Sequence, residues 1–481
     1  MDKKLTKNYI YSVIYQLLIV VTPFITTPYL TRVMGSKMLS LNDLTGNYAQ
    51  WFVLFGIMGV NIYGNREIAR VRDDKKELSK SFFEIFSMQF ISMVVSSIAY
   101  ILFVIVSKSN YTNLLIAQGI TLLGVSLDIT WFFYGVEDFK KASIRNMAVK
   151  ILNVALIIML IKGPADLLKF ILLNSLLGVF GQLVMWVQLR HYVHFEKVTL
   201  KGIIRHIKPN IALFVPQIAI SVYSLLNVPM LGFLYPNISH VNYYKQSQQF
   251  VKMFLFFITS IGSVMLPRIS NVFNKGDVDA VNSYLSKTLR FSLYLAIPMI
   301  FGIFGLIQNF VDWFLPLEYS EVGSLIIYTS PIILFISLSN VFGTQYMVPI
   351  GDYKHYTLSV IVGAIVNFIS NFIFMPNLGA YGAVISTVLA ELAVTLTQWI
   401  FVRKVLKLEI QLSEILKIII CSFIMVSAVI SIGKQGNSFL INLMQIGAGS
   451  IAYVVALFVL KAPLFIEISN KFIKRGVKGE A

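Results

Sequence analysis

Cysteine occurs once in the 481 residues, at Cys421, and that position lies inside an apolar run. No disulfide and no metal–thiolate site can come from it. Acidic residues are also scarce, 23 Asp and Glu against 40 Lys and Arg, for a net charge of +17. The histidines, His191, His194, His206, His240 and His355, fall in linkers or at the ends of apolar runs without metal-ligand spacing, so no metal is expected. There is no glycine-rich phosphate loop closed by Lys-Ser or Lys-Thr, and no HExxH. ATP hydrolysis and zinc-dependent hydrolysis are therefore not expected, and neither is any cofactor. Long polar stretches are missing as well. The longest links between apolar runs, 65–81, 190–209 and 267–287, leave no room for a folded soluble domain, which argues against a tethered enzyme.

What the chain has instead is apolar length. Hydrophobic residues make up 57% of it, more than a soluble class accommodates. They are arranged in about fourteen runs of roughly twenty residues, each long enough to cross a bilayer as a helix. The spans read as 10–31, 47–64, 82–106, 111–134, 144–161, 167–189, 211–234, 246–266, 288–309, 322–345, 356–375, 380–402, 414–432 and 438–460. The expected fold class is an all-α integral membrane protein. Its first run is of full span length and lacks a small-residue cleavage site, so it reads as a retained helix.

Basic residues fix the expected orientation, because loops rich in Lys and Arg stay on the cytoplasmic side. With the first end inside, that side collects Lys3, Lys4 and Lys7, the group Arg66 to Lys80, and the group Lys140 to Lys150. It also collects Arg190 to Lys208, Arg268 to Arg290, Lys354, Arg403 to Lys417, and the tail from Lys461. Only Arg32, Lys37, Lys108, Lys162, Lys169, Lys245, Lys252 and Lys434 fall to the outer half. Both termini are expected in the cytoplasm. Because the basic residues are interleaved between spans rather than gathered in an arm with aromatic partners, nucleic acid is not expected as a ligand. Topology and attraction to anionic membrane lipids account for the charge.

An internal duplication is visible. Gln16 and Pro28 pair with Gln217 and Pro229 at an offset of 201, and Gln50 and Arg70 pair with Gln248 and Arg268 at an offset of 198. Six spans separate the copies, and an even number restores the same side of the membrane, so the repeats would be parallel. The domain reading is a six-helix lobe at 1–205, a second at 206–407, and an appended helix pair with a basic tail at 408–481. Two such lobes facing one another would enclose a cavity lined by polar stripes. Asn8, Ser12, Gln16, Thr22 and Thr26 form one in the first span, beside Pro23 and Pro28. Asn210, Gln217, Ser221, Ser224 and Asn227 form its counterpart, beside Pro216 and Pro229. Gln248 shares a face with Lys252 in the eighth span. Ionisable residues inside spans are costly and mark function or pairing. Asp128 and Glu391 are the carboxylates of this kind, candidates for ion coupling or for pairing.

Several runs carry a family resemblance. PFITTPYLTRVMG at 23–35, YGNREIARVRD at 63–73 and DITWFFYGVEDF at 128–139, with PRIS at 267–270 and GAYGA at 379–383, resemble bacterial polysaccharide repeat-unit flippases of the Wzx type. These belong to the multidrug/oligosaccharidyl-lipid/polysaccharide exporter superfamily. The resemblance implies translocation of a polyprenyl-pyrophosphate-linked oligosaccharide from the inner to the outer leaflet of the bacterial cytoplasmic membrane. By the same resemblance the cargo would serve capsule, exopolysaccharide or O-antigen synthesis, cross by alternating access, and pass to polysaccharide polymerase machinery as a further partner. A pyrophosphate headgroup calls for fixed positive charge and hydrogen-bond donors. Arg32, Arg66, Arg70, Lys252, Arg268 and Arg290 are the candidate cationic lining, and Gln16, Gln217, Asn227 and Gln248 the polar lining for sugar hydroxyls. The alternatives are a cation-coupled multidrug antiporter of the same superfamily, which Asp128 and Glu391 would suit, and a membrane-embedded glycosyltransferase or polymerase, which the short loops disfavour.

Overall fold

The computed structural model describes residues 3–404, 406 and 411–467. Side chains at 3–10 and at some positions in 12–13, 213–223, 256–267 and 274 are outside that description. The chain divides into two compact units, Met1–Phe233 and Leu234–Ala481.

Unit 1 opens with α1 (Lys3–Ile57), two helices joined across Gly35, whose φ of 73° lies in the left-handed region that glycine tolerates. Pro23 and Pro28 sit inside the helix, and the backbone departs from helical geometry at Gly35. The loop expected between the first two spans is therefore mostly helical. Met34, Leu39, Leu41 and Leu44 pack inward there, so burial holds as helix a stretch too polar to register as a span. A turn at Gly59 leads into α2 (Val60–Val71). Then α3 (Lys75–Ser107) follows, capped by the Asp74 carboxylate accepting from the Lys76 and Glu77 amides. α4 (Thr112–Ser126), α5 (Thr130–Gly135), α6 (Phe139–Leu160), α7 (Leu167–Leu189) and α8 (Leu200–Leu234) complete the unit. One face of α3, from Ile91 through Val95, Ile98, Leu102 and Ile105, is exposed and wholly apolar. Lipid is the solvent that suits such a face.

The single span expected at 111–134 is broken at 127–129, between α4 and α5. In hydrocarbon each unpaired carbonyl costs several kcal/mol, so a break must be braced. Gln89 of α3 does this, donating to the carbonyls of Val125 (3.2 Å), Ser126 (3.4 Å) and Asp128 (2.9 Å). Trp186 donates to the Leu127 carbonyl at 2.9 Å, and Trp131 orients Gln89 by donating to its Oε1 at 2.9 Å. Around the brace lies the aromatic core: Phe82, Trp131, Phe132 and Phe133 are fully buried, and Phe86 meets Trp186 edge-on at 4.7 Å.

α8, which the repeat assigns to the second lobe, groups by its contacts with unit 1. His206 and Arg205 bond to α2 and α3, and Gly59 lies against Phe214.

Unit 2 comprises α9 (Ser239–Asn274), α10 (Val278–Phe314), α11 (Ser320–Thr329), α12 (Ile332–Ser339), α13 (Tyr353–Leu378), α14 (Ala380–Val402), α15 (Leu412–Gly433) and α16 (Phe439–Val459). α12 runs on into a π-helical stretch, Asn340–Met347, so the span expected at 322–345 is also segmented. Eleven described segments are long and apolar enough to span a membrane. Counting the first as two across Gly35, and adding α8 and α9, is consistent with the fourteen expected. Among the described residues there is no strand.

Candidate substrate-binding residues

Of the basic residues proposed for the cavity, five are exposed: Arg32 on α1, Arg66 and Arg70 on α2, and Lys252 and Arg268 on α9. Arg32 donates to the Pro28 carbonyl at 2.9 Å, which turns it back along its own helix. Arg70 lies 2.6 Å from Glu67 one turn earlier, on the surface, where such pairs stabilise little. Lys252 feels the field of Glu391, a carboxylate buried in α14 of the same unit.

Arg290, the sixth, is engaged within its own unit. Its guanidinium forks onto the buried Glu414 carboxylate of α15, with Nε at 2.9 and 3.0 Å and Nη2 at 2.8 Å, and Tyr294 donates to the same carboxylate at 3.0 Å. A bidentate pair of this geometry ties α10 to α15. Glu414 sits just inside an apolar run, where sequence offers no sign of which cation will meet it.

The polar candidates divide similarly. Gln16 is exposed on α1. Asn227 is buried in α8 at 2% exposure, and Gln248 is buried in α9 with an amide nitrogen that finds no hydrogen-bond partner among the described residues. The side chain of Gln217 lies outside the described residues. Asp128 occupies the helix break, where its carboxylate accepts from the amide of Thr130, the first residue of α5, at 2.9 Å. Its charge acts on Arg145 of α6, whose Nη2 donates to the Thr130 hydroxyl at 2.9 Å and whose Nε is buried without a partner among the described residues.

One cluster and two cations inside a span are not apparent from the sequence. Glu84 of α3 is 1% exposed and receives Arg205 Nη2 at 2.6 Å and His206 Nε2 at 3.2 Å, while His206 Nδ1 accepts from Tyr63 at 2.6 Å. Burial pushes His206 below the ordinary imidazole range, against the opposing pull of Glu84. Arg145 and Lys150 belong both to the basic group assigned to the cytoplasmic side and to the span 144–161. The conflict between the two readings was the signal.

Unit 2 also holds an apolar groove of about 590 Å³ along α10, walled by Phe291, Leu295, Met299, Met425, Val429 and Val454 among others from α15 and α16. Its polar side chains are few, and two of them are engaged. Gln445 donates to the Val429 carbonyl at 3.0 Å, and Tyr453 to the Tyr294 carbonyl at 3.0 Å.

The chain is similar to a candidate O-antigen transporter of Shigella dysenteriae, 25% identical over 380 residues, covering 78% of this chain and 94% of that one. In fold it resembles a lipid II flippase, MurJ, in an inward closed conformation, with a TM-score of 0.75 at 16% identity over 94% of this chain and 98% of that chain. It also resembles an inward-facing multidrug resistance MATE family transporter of the MOP superfamily, with a TM-score of 0.62 at 12% identity over 80% and 94%. The family model described as polysaccharide biosynthesis protein matches residues 5–273, more than half of the sequence, and the chain belongs to that family.

Proposed function

We propose that this protein flips a polyprenyl-pyrophosphate-linked oligosaccharide from the inner to the outer leaflet of the bacterial cytoplasmic membrane, supplying repeat units for surface polysaccharide. The family match over 5–273 carries this reading. The chemistry of the chain supports it: exposed guanidinium and ammonium groups on α1, α2 and α9 suit a pyrophosphate. The apolar groove along α10 suits a stretch of polyprenyl chain, which must stay in an apolar medium while its headgroup crosses. In this reading both termini lie in the cytoplasm, the units rock by alternating access, and no covalent bond of the cargo is made or broken. A polymerase acting at the outer leaflet would receive the product.

A second reading, a cation-coupled multidrug antiporter, is favoured by one observation, the buried Glu391 in a fold similar to a MATE transporter. The exposed cations and the +17 charge suit an anionic cargo better. The deciding experiment follows polyprenyl-linked oligosaccharide in a strain lacking the gene. Cargo trapped facing the cytoplasm, and released outward when the chain is restored, is the expected result; outward exposure without the chain would overturn the proposal.

A further inference from the structure

Lys150 lies at the middle of α6. The helix runs from Phe139 to Leu160, so at about 1.5 Å per residue Lys150 stands about 16 Å from either end. Even from residue 144, where the apolar span begins about 9 Å away, a four-carbon stem is shorter than the distance, so snorkelling alone does not bring the ammonium to the headgroups. Nor is it neutralised. Among the described residues Lys150 makes no hydrogen bond and no ion pair, and no carboxylate is close enough to act on it.

The face around it is polar. Ser143, Asn146, Lys150 and Asn153 recur at helical spacing. Asn153 reaches Asn174 of α7 at 2.9 Å, and Asn146 has no hydrogen-bond partner among the described residues. Only Ala142, Ser143 and Ile157 of α6 are buried within unit 1, and Lys150 is half-buried. α1 runs alongside in the same direction. Lys140 sits over the Tyr11 ring at 5.7 Å near one end, and Tyr29 donates to the Ile161 carbonyl at 2.6 Å near the other. Hydrocarbon is a poor solvent for such a face, since a lysine at a helix centre costs about 2.5–3.5 kcal/mol on insertion scales. Water, or an anion, must meet it.

We propose that Lys150 is an anion-binding residue at mid-membrane, which holds a phosphate oxygen of the lipid-linked cargo during its crossing, with Asn146 as a neighbouring donor. The assignment rests on the flippase reading above. An unpaired ammonium beside amides matches the oxyanion of a polyprenyl pyrophosphate, and a phospholipid headgroup offers similar chemistry from a different source.

The test uses the full-length protein in phosphatidylcholine nanodiscs with labelled undecaprenyl pyrophosphate and, separately, undecaprenol. Lys150→Met should weaken pyrophosphate binding tenfold or more and leave undecaprenol binding unchanged, and Lys150→Arg should restore the former. Equal pyrophosphate binding by Lys150→Met and the unaltered chain would overturn the assignment, as would an equal loss for both ligands, the mark of a structural role. Displacement by phosphatidylglycerol at matched concentration would overturn it in favour of a bulk lipid headgroup. An unaltered chain that binds undecaprenol and pyrophosphate alike would sink the flippase reading instead. An independent readout covers the case in which Lys150→Met fails to fold. In a Cys421→Ser background, Lys150→Cys should react with a membrane-impermeant thiosulfonate, and undecaprenyl pyrophosphate should protect it. Absence of labelling in the folded protein would show a dry face and overturn the proposal.

Discussion

At the scale of single residues, the same side-chain chemistry has opposite uses according to what faces it. Arg290 and Lys150 are both cations inside helices, but Arg290 is met by Glu414, whose carboxylate also accepts from Tyr294, whereas Lys150 has no hydrogen bond or ion pair among the described residues. Breaking a buried pair leaves an uncompensated charge, which typically costs about 3–5 kcal/mol. Glu414→Ala should therefore lower the melting temperature in detergent markedly, while the double change Arg290→Met with Glu414→Leu should recover most of the loss. A double variant no more stable than the single would show that the pair is not what couples α10 to α15. Sequence made Arg290 look like a cavity residue because a cation entering a span is conspicuous and its partner, 124 positions away, is not. The run WFF in the family-like segment has a plainer explanation than cargo recognition. Trp131, Phe132 and Phe133 are core, and a Cβ on Gly64 would come within 2.6 Å of the Trp131 ring, so the glycine in the YGNRE run permits that approach.

At the scale of elements, the joints between helices are where polar chemistry collects. The break between α4 and α5 holds because Gln89 and Trp186 replace the missing helical donors, and the Asp128 carboxylate takes the first amide of the restart. The first turns of α8 are held by His206 and Arg205 against Glu84 of α3 and Tyr63 of α2. This second joint has a pH signature. His206 has a depressed basicity in the folded state, so between the folded value and about 6.5 the unfolded chain binds the proton first. Stability from the joint is then full above about pH 6.5 and falls as the pH drops through the folded value. Thermal melts of the purified protein should show a steeper acid limb for the unaltered chain than for His206→Gln. Parallel limbs would rule out His206 as the group responsible. The periodicity of apolar residues revealed that helices exist here, but not where they break. A braced break and an intact helix carry the same hydropathy, and the brace comes from α3 and α7.

For the whole molecule, topology is the property that follows from simple counting. The Lys and Arg bias predicts that the linkers at 72–74, 190–199 and 275–277 lie inside and those at 108–111, 162–166 and 315–318 outside. Single cysteines introduced at Ser109 and Gly163 in a Cys421→Ser background should react with an impermeant maleimide on whole cells, and cysteines at Gly276 and Lys197 only after permeabilisation. The reverse pattern would invert the protein in the membrane and, with it, the direction assigned to transport.

The sequence by itself determined the solvent, the helical class and the approximate spans. Each of these depends on composition and on distances of a few residues, which the bilayer's thickness turns directly into structure. The family-like runs were legible for the same reason, as local strings. Tertiary structure alone decided which charges are spent on packing, where helices are interrupted, and that α8 groups with the first unit. Those outcomes depend on pairs such as Arg290–Glu414, Glu84–Arg205 and Gln89–Asp128, whose members are set side by side only when helices distant in sequence pack. Electrostatic and hydrogen-bond energies fall off over a few ångströms, so a sequence names the groups and the fold chooses their partners.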